Sequence, residues 1–256
     1  MQNNTFLTLF VGQSIVKLQE IDSTNAYLKK LLSNSTPLIE GTVIMAERQF
    51  AGRGQNDNVW ESEADKNLTF SVYLKPSFLA ANHQFELNKA ISLGLIDTLK
   101  PIIGDACKIK WPNDIFHHDK KIGGILIENV TQGYQLKESI IGIGLNVNQH
   151  YFGELENKAT SISKILHQDY ELNKLLPQIC QNIESRYLQI KTNKTAILAQ
   201  DYLQNLYRLN ETHFFIINNK QAKATIKGTT PNGKLLLQTD ESLEELDLKE
   251  VKFIID

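Results

Sequence analysis

The chain has 256 residues, of which 41% are hydrophobic and 22% are charged, and its formal net charge is −2. This length allows one large domain, or one large and one small domain, around a sizeable apolar core. The slightly acidic balance excludes the strongly basic composition that marks many nucleic-acid-binding domains.

The first predicted elements lie between residues 6 and 32. The apolar run 6–11 is too short to span a membrane. No basic residue precedes it because the first lysine is Lys17, so we expect neither a signal peptide nor a membrane anchor. Residues 15–21 alternate apolar and polar side chains, which predicts a half-buried strand. The small polar residues 23–25 can cap a helix that the periodicity predicts over 26–32.

Several strands and one helix are predicted between residues 43 and 146. The strand-like runs are 43–46, 68–74, 109–111, 122–128 and 140–146. Residues 47–67 are polar, contain glycines and show no periodicity, which predicts a long loop. Residues 85–99 have helical spacing, because four leucine and isoleucine residues recur on one face: Leu87, Ile91, Leu95 and Leu99.

The pattern changes near residue 210. Residues 172–207 predict helix with a break near Thr192 and Asn193. Five short β-like runs follow at 213–218, 222–227, 234–238, 243–248 and 251–255, separated by turns such as 231–233. We therefore predict two domains, residues 1–209 and a small SH3-like barrel over residues 210–256.

The two cysteines, Cys107 and Cys180, share no metal-binding spacing. We expect them to be reduced core residues of a cytoplasmic protein, since disulfides are rare in that compartment. No G-x-S-x-G motif occurs, and neither cysteine has a histidine partner by motif, so no nucleophilic triad is predicted.

The most informative stretch is residues 110–128, which read KWPNDIFHHDKKIGGILIE. Its first five residues combine a cation, an indole ring, a rigid turn residue, an amide and a carboxylate. Lys121 then precedes Gly123 and Gly124, whose missing Cβ atoms let a ligand lie close to the backbone. Because lysine supplies a compact positive charge, the stretch predicts a site for a phosphate or a carboxylate.

This segment resembles the core of the biotin protein ligases, and three further matches occur in the order found in that family. They are Asp22–Asn25, then Glu47–Gly54 with Trp60 following, and finally Gly142–Asn148. The resemblance covers most of residues 20–150, and the C-terminal tail is similar to the small barrel of that family. It implies an α+β fold of the class II synthetase-like type: a mixed β-sheet with helices packed on one side, plus a small C-terminal SH3-like β barrel.

The resemblance implies ATP-dependent biotinylation of a lysine on a biotin carrier protein through a biotinyl-5′-AMP intermediate. Biotin and ATP would be substrates, Mg²⁺ would be the counter-ion of ATP, and no cofactor would be permanently bound. The implied partner is the biotin carboxyl carrier domain of a carboxylase, with no nucleic acid and no membrane, while homodimer formation stays open. Some family members carry an N-terminal helix-turn-helix, for which we expect no room because the first motif begins at Asp22.

A biotin site is also implied by the resemblance. Its predicted members come from the helix start, the glycine-bearing loop and the lysine–glycine segment: Ser23, Thr24, Asn25, Gln49, Gly52, Arg53, Gly54, Gln55, Lys121, Gly123 and Gly124. Hydroxyl and amide groups suit a ureido ring, which needs both donors and acceptors. From the residues alone, the alternatives are an ordinary helix N-cap at 23–25 and a flexible surface turn at 52–54.

The implied nucleotide site consists of Trp60, Lys110, Asn113, Asp114 and Asn146. An aromatic face at Trp60 suits adenine, and Asp114 is the predicted Mg²⁺ ligand because carboxylate oxygens suit a hard cation. Lys121 and Arg53 are the predicted catalytic residues, which would stabilise growing negative charge. The alternatives are a simple core position for Trp60 and a surface ion pair between Lys110 and Asp114.

Two local features complete the prediction. His117 and His118 are interpreted as a solvated turn, since no further metal ligands accompany them in a pattern. Gln55 stands where a second arginine is common in the family, and Asp57 adds negative charge to the same loop, so weaker retention of the adenylate is expected. Two rival functions remain: a lipoate or octanoate ligase or transferase of the same superfamily, and a non-catalytic protein that only binds biotin or its adenylate.

Overall fold

A computed structural model describes residues 7–34, 37–55 and 58–255 of the chain. Seven strands form the larger sheet: β1 (Ile15–Ile21), β2 (Val43–Gln49), β3 (Leu68–Leu74), β4 (Cys107–Lys110), β5 (Asp114–His117), β6 (Lys120–Gln132) and β7 (Gln135–Leu145). Their spatial order is β1-β2-β3-β7-β6-β5-β4. The β1–β2 pair is parallel and the other neighbours are antiparallel, so the sheet is mixed, as predicted.

The strand predictions hold best where the alternation is long. Strands β1 and β3 have the predicted bounds, whereas β2 continues to Gln49, so the irregular segment begins at Phe50 instead of residue 47. Strand β5 was not predicted because it has only four residues between two tight turns. The solvated-turn interpretation is therefore wrong for His117, which ends β5 and contacts the carbonyl of Ile103 through Nε2 at 3.2 Å.

Five α-helices are present in the described chain: α1 (Thr24–Ser33), α2 (Gln84–Ile103), α3 (Ile162–Leu166), α4 (Leu172–Lys191) and α5 (Thr195–Gln204). The predicted apolar face of α2 is fully buried. At Gly94 the helices α2 and α4 approach so closely that a Cβ atom would lie 2.9 Å from the backbone of Ile183. None of the described helices is long and apolar enough to cross a membrane.

The two faces of the large sheet are covered differently. Residues such as Val43, Val72 and Ile141 belong to the main hydrophobic core with α2 and α4. The alternate residues Ile44 and Tyr73 point the other way, where they form a small cluster with Leu28 of α1. The long helices thus pack on one side, as predicted, and α1 is the exception on the opposite side.

A second sheet follows helix α5. It contains β8 (Thr212–Ile217), β9 (Lys220–Thr229), β10 (Leu235–Gln238), β11 (Leu243–Leu246) and β12 (Val251–Phe253) in the order β11-β10-β9-β8-β12. All its pairs are antiparallel, which is consistent with the predicted SH3-like barrel.

This C-terminal sheet is attached to the rest of the molecule at several points. Its buried residues, among them Phe215 and Leu235, join the same hydrophobic core as α2 and α4. The indole of Trp111 donates to the carbonyl of Gly233 at 2.9 Å. The boundary at residues 209 and 210 stays a prediction, because a shared core does not show where independent folding would stop.

Candidate active site

A cavity of about 230 Å³ lies on the face of the large sheet that also carries α1. Its wall is built from the start of α1, residues of the segments 49–55 and 58–60, residues 110–114, strands β6 and β7, and Leu248, which lies in the turn between β11 and β12. Most of the predicted site residues line it: Ser23, Thr24, Asn25, Gln49, Arg53, Gly54, Gln55, Trp60, Lys110, Asn113, Asp114, Lys121 and Gly124. Fold topology thus brings together four motifs that are far apart in the sequence.

Glycines on alternate positions of β7 make room for the cavity. A Cβ atom on Gly142 would lie 2.6 Å from Oδ1 of Asn25, and one on Gly144 would lie 2.3 Å from the Trp60 ring. Gly144 pairs with Gly124 on β6, which also lines the cavity. Because any larger residue would displace Asn25 or Trp60, the glycines let those side chains lie directly on the sheet.

One end of the cavity is neutral and polar. Ser23 occupies the N-cap position of α1, but its side chain makes no capping hydrogen bond within the described chain. Thr24 donates to Oε1 of Gln49 through its backbone N–H at 2.8 Å and lies 3.2 Å from the same oxygen through its hydroxyl. The helix start therefore presents hydroxyl groups to the cavity instead of using them as an ordinary cap.

Four contacts lie behind this polar end, and the two made by Ser71 are buried. The Ser71 hydroxyl is 2.7 Å from Oγ1 of Thr24 and 2.6 Å from Oδ1 of Asn25. The Nδ2 group of Asn25 donates to Oε2 of Glu128 at 2.8 Å, and Lys29 pairs with the other carboxylate oxygen. Asn25 and Ser71 are almost completely buried, so these bonds fix their orientation.

The other end of the cavity is cationic, and a β-bulge places its lysine. Strand β5 pairs Ile115 with Gly123 and Phe116 with Lys121, so Ile122 is an extra residue in β6. In a regular strand, Lys121 would point to the core face like Gly123, two residues away. The bulge turns the Lys121 side chain to the cavity face instead. There its Nζ lies 2.6 Å from Oδ1 of Asp114, and a Cβ atom added to Gly124 would lie 3.1 Å from it.

Lys110 supplies a second ammonium group beside Asp114, at 4.0 Å from Oδ2. Its Nζ also lies 4.8 Å from the centre of the Phe253 ring, which belongs to β12. Burial lowers the pKa of Lys110, the nearby Asp114 carboxylate opposes that effect, and Lys121 adds to it. The ion pair with Asp114 is therefore part of a three-charge cluster rather than an isolated surface pair.

The ring of Trp60 lies over Gly144 at the edge of the cavity. Its centre is 5.7 Å from Nζ of Lys121. Its Nε1 group is buried and has no hydrogen-bond partner within the described chain. A buried indole N–H usually has a partner, so this group is available to a ligand in the cavity.

The glycine-bearing loop is held by its own backbone. Gly54 donates to the carbonyl of Asn58 at 2.7 Å, and Trp60 donates to the carbonyl of Gly52 at 3.0 Å. A Cβ on Gly52 would lie 2.3 Å from the Trp60 carbonyl oxygen, so the loop needs glycine there for packing. Asp57, which sequence analysis singled out, lies outside the described residues.

Three predicted site residues do not line the cavity. Asn146 is almost fully buried and donates to the carbonyl of Thr160 at 3.0 Å, so its predicted contact with a nucleotide is not supported by its position. Gly123 faces the core, where a Cβ would meet Gly144 and Leu145. Gly52 is buried behind the loop beside the cavity.

The described residues do not fit a metal ion held by the protein. No group of three or more histidine, cysteine or acidic residues among them lies close enough together to hold one. Asp114, the predicted Mg²⁺ ligand, is already paired with Lys121 and lies near Lys110. Because two cations neutralise this carboxylate, we assign no metal-binding step to it.

Several residues that shape the site were not among the predicted site residues. Gly142 and Gly144 were named only as part of the motif Gly142–Asn148, although their spacing of two places both on the face that carries Gly124. Ser71 and Glu128 lie on that same face and could have been found in the same way. Leu248 could not have been found from the sequence, because no local pattern shows that the C-terminal region reaches the cavity.

Comparisons with known proteins show which family the chain belongs to and which folds it resembles. Residues 18–146 match the biotin/lipoate A/B protein ligase family. The chain is 30% identical over 251 residues to the bifunctional ligase/repressor BirA of Bacillus spizizenii, covering 93% of this chain and 74% of that protein. It is 28% identical over 245 residues to the biotin–[acetyl-CoA-carboxylase] ligase of Paracoccus denitrificans, covering 92% of this chain and 99% of that protein.

A similar fold occurs in the biotin protein ligase of Aquifex aeolicus, whose structure was solved in complex with biotin and ATP. The TM-score is 0.80 at 25% sequence identity, covering 95% of this chain and all of that chain. The coverage includes both sheets, so the likeness extends beyond the segment matched by the family.

Proposed function

The chain belongs to the biotin/lipoate A/B protein ligase family, and we propose that it acts within that family as a biotin protein ligase. It joins biotin to ATP to form biotinyl-5′-AMP, and then transfers the biotinyl group to a lysine of a carrier protein. The relatives named as biotin ligases and the similar structure with biotin and ATP support this choice.

The observation that carries the proposal is the division of one cavity into two ends. Thr24, Asn25 and Gln49 form a neutral end of hydroxyl and amide groups, which suits a ureido ring. Lys110 and Lys121 form a cationic end, which suits the carboxylate of biotin and the phosphates of ATP. A molecule that is neutral and polar at one end and anionic at the other matches both.

In the first step, a carboxylate oxygen of biotin attacks the α-phosphorus of ATP, and the bond to pyrophosphate breaks. A carboxylate is already a nucleophile, so this step needs positioning and charge neutralisation instead of a general base. Lys121 and the exposed Arg53 are proposed to stabilise the negative charge that grows on the phosphate. Asp114 orients Lys121 through their ion pair, and Trp60 is proposed to contact the nucleotide.

In the second step, a lysine amine of the carrier attacks the carbonyl carbon of biotinyl-5′-AMP. The carbon–oxygen bond to AMP breaks, an amide forms, and the amine loses a proton. The proposed acceptor is the biotin carboxyl carrier domain of a carboxylase. Leu248, in the turn between β11 and β12, brings the C-terminal region to the cavity wall, which supports a role for that region in binding ATP or the carrier.

The remaining partners follow from the chemistry. Mg²⁺ would enter with the phosphates of ATP, since small hard cations are often held mainly by substrate phosphates and water. Nucleic acid is not proposed as a partner because the net charge is −2. We propose a cytoplasmic location, where ATP is available and where the free, buried Cys107 and Cys180 would stay reduced.

The test is ATP–pyrophosphate exchange measured with the purified chain and either biotin or lipoate. Exchange that depends on biotin, followed by transfer of labelled biotin to a carrier domain, is the expected result. Exchange that depends on lipoate or octanoate instead would favour the other branch of the family. Binding of biotin without exchange would favour a non-catalytic role.

A further inference from the structure

The ammonium group of Lys110 lies between two aromatic rings that belong to different sheets. Its Nζ atom is 5.4 Å from the centre of the Phe116 ring and 4.8 Å from the centre of the Phe253 ring. Phe116 is on β5, which pairs with the strand that carries Lys110, whereas Phe253 is on β12 of the C-terminal sheet. Both distances are within the range of roughly 6 Å in which a ring face attracts a cation. The C-terminal sheet therefore contributes one of the two rings at this charge.

The rings stand where a hydrogen-bond partner of Lys110 would otherwise be expected. The Lys110 side chain is only 20% exposed, and Oδ2 of Asp114 is 4.0 Å from its Nζ, which is too far for a hydrogen bond. The other oxygen of that carboxylate pairs with Lys121 at 2.6 Å. Because a ring face attracts a desolvated cation more strongly than an exposed one, the two rings stabilise Lys110 more than they would stabilise a surface lysine.

The position of the Phe253 ring is fixed by contacts that do not involve Lys110. Strand β12 pairs with β8, where Phe253 lies opposite Phe215, and the two rings are 5.2 Å apart in an edge-to-face arrangement. Arg208 donates to the carbonyl of Ile254, the next residue along the chain, at 2.8 Å. Arg208 also lies 3.4 Å from Asp119, in the turn between β5 and β6. Since the lysine stem is flexible, the lysine adapts to the ring.

We propose that Phe253 is a positioning residue that holds the Lys110 ammonium group at the cationic end of the cavity for the phosphates of ATP. Lys110 lines the cavity, whereas Phe253 is not among the described residues that do, so Phe253 acts on a ligand only through Lys110. A charge that is held in place before the ligand arrives needs no reorganisation when it binds. The inference rests on the proposed function and deepens it, because it gives one named side chain of the C-terminal sheet a part in binding ATP.

The alternative is that Phe253 only packs against its aromatic neighbours, Phe215 and Tyr207. Fluorination of the ring separates the two roles. Fluorine withdraws electron density from the ring face, which is the part that attracts a cation, and changes the shape of the ring little. Mono-, di- and trifluorophenylalanine are therefore placed at position 253 of the full chain. The matched control is the same series at Phe215, which is fully buried beside Phe253 and is neither of the two rings around Lys110.

The first measurement is isothermal titration, which gives the Kd for ATP and the Kd for biotin. The Kd for ATP should rise step by step with the number of fluorine atoms at position 253, to roughly threefold with three of them. Phe253→Leu, which keeps an apolar side chain but has no ring face, should raise it roughly fivefold. The Kd for biotin should stay the same in all these variants, and the Phe215 series should show no trend in either Kd.

The second measurement tests the contact itself and needs no ligand. Urea denaturation compares phenylalanine with trifluorophenylalanine at position 253, once in the wild-type chain and once in Lys110→Met. Trifluorination should raise the equilibrium constant for unfolding roughly threefold more when Lys110 is present than when it is replaced. Any effect of fluorine on the contacts with Phe215 and Tyr207 occurs in both chains and cancels in this double-mutant cycle.

Three outcomes overturn different statements. Equal effects of trifluorination on unfolding in the two chains would show that the ring of Phe253 does not hold the Lys110 ammonium group. A difference in unfolding without any trend in the Kd for ATP would show that the contact serves stability alone. Failure of the wild-type chain to bind biotin would overturn the proposed function, whereas the unfolding cycle and the Kd for ATP would still decide the role of Phe253.

Discussion

The two faces of the large sheet use the same strands for opposite purposes. In β7, Ile141 and Leu145 are fully buried in the main core, whereas Gly142 and Gly144 between them carry no side chain at all. On the core face, apolar area is removed from water, which stabilises the fold. On the other face, glycines hold open a space lined by hydroxyl, amide and charged groups.

This difference shows how stability and function are separated by one residue of spacing. Core-face side chains fill volume, so shortening them should reduce stability and leave the chemistry unchanged. Site-face positions expose space and hold charges near each other, so changing them should alter binding more than stability. Substitutions on the two faces should therefore separate loss of stability from loss of activity.

The strongest test compares neighbouring core and site positions of β7. Ile141→Ala should reduce the free energy of unfolding by about 2–5 kcal/mol, because it leaves a cavity in the core. The rate of biotin-dependent exchange per folded molecule, measured well below the melting temperature, should be unchanged. Urea denaturation measures the free energy of unfolding, and the exchange assay measures the rate per folded molecule.

Gly144→Ala is the counterpart on the site face. Its Cβ would push Trp60 away, which should raise the KM for ATP by roughly fivefold or more, equivalent to about 1 kcal/mol. Stability should change little, because replacing a glycine by alanine restricts the unfolded chain and contributes about 0.4–1 kcal/mol that offsets part of the strain. Equal stability losses in both variants would refute the separation of the two faces.

The second test concerns Lys121. Loss of one preorganised group that stabilises developing charge typically costs about 10²–10³-fold in rate. Lys121→Ala should therefore remain folded and lose biotin-dependent pyrophosphate exchange by that factor. The matched control is Lys120→Ala, whose side chain contacts the carbonyl of Glu156 instead of the cavity. Exchange within about threefold of wild type in Lys121→Ala would remove it from the mechanism.

Much of this separation could be predicted from the sequence, because both faces leave local patterns. Apolar periodicity predicted α2 and β3, and the KWPND and KIGGILIE segments predicted a site for a phosphate or a carboxylate with Lys121 and Asp114 among its residues. The contact between these two side chains was not predicted and comes from the structure. The bulge at Ile122 could not be predicted, since register depends on the partner strand. For the same reason, the burial of Asn146 and the approach of Leu248 depend on tertiary contacts that no local pattern contains.

The third test uses the pH dependence of the free energy of unfolding to measure how much the buried charge of Lys110 destabilises the fold. Burial lowers the pKa of Lys110 below its ordinary value of 10.5. Between the lowered pKa and 10.5 the unfolded chain binds more protons at this residue than the folded chain does. Stability from this group therefore rises with pH across that window, and the full penalty is present below it.

Lys110→Met removes this penalty. The variant should gain stability relative to the wild type most strongly at neutral pH, and the gain should shrink as pH rises towards 10.5. Urea denaturation at several pH values measures the difference. Lys252→Met, at an exposed position of β12, controls for the loss of one lysine. A stability difference that does not vary with pH would contradict the assigned effect of burial.

The smallest expected effect lies in the loop that covers the cavity, at Gln55. A hydrogen bond to a charged group contributes about 1.5–3 kcal/mol, compared with about 0.5–1.5 kcal/mol for a neutral one. An arginine at this position, which lines the cavity near Arg53, should therefore hold the phosphate of biotinyl-5′-AMP more tightly by roughly 1 kcal/mol, or about fivefold. Gln55→Arg should slow the release of preformed adenylate by that factor and leave the affinity for free biotin unchanged, because the added charge faces the phosphate end. The control is Gln221→Arg, which adds the same charge at an exposed position of β9 and should not slow release. If Gln55→Arg released the adenylate as fast as the wild type or faster, the side chain at position 55 would not face the phosphate.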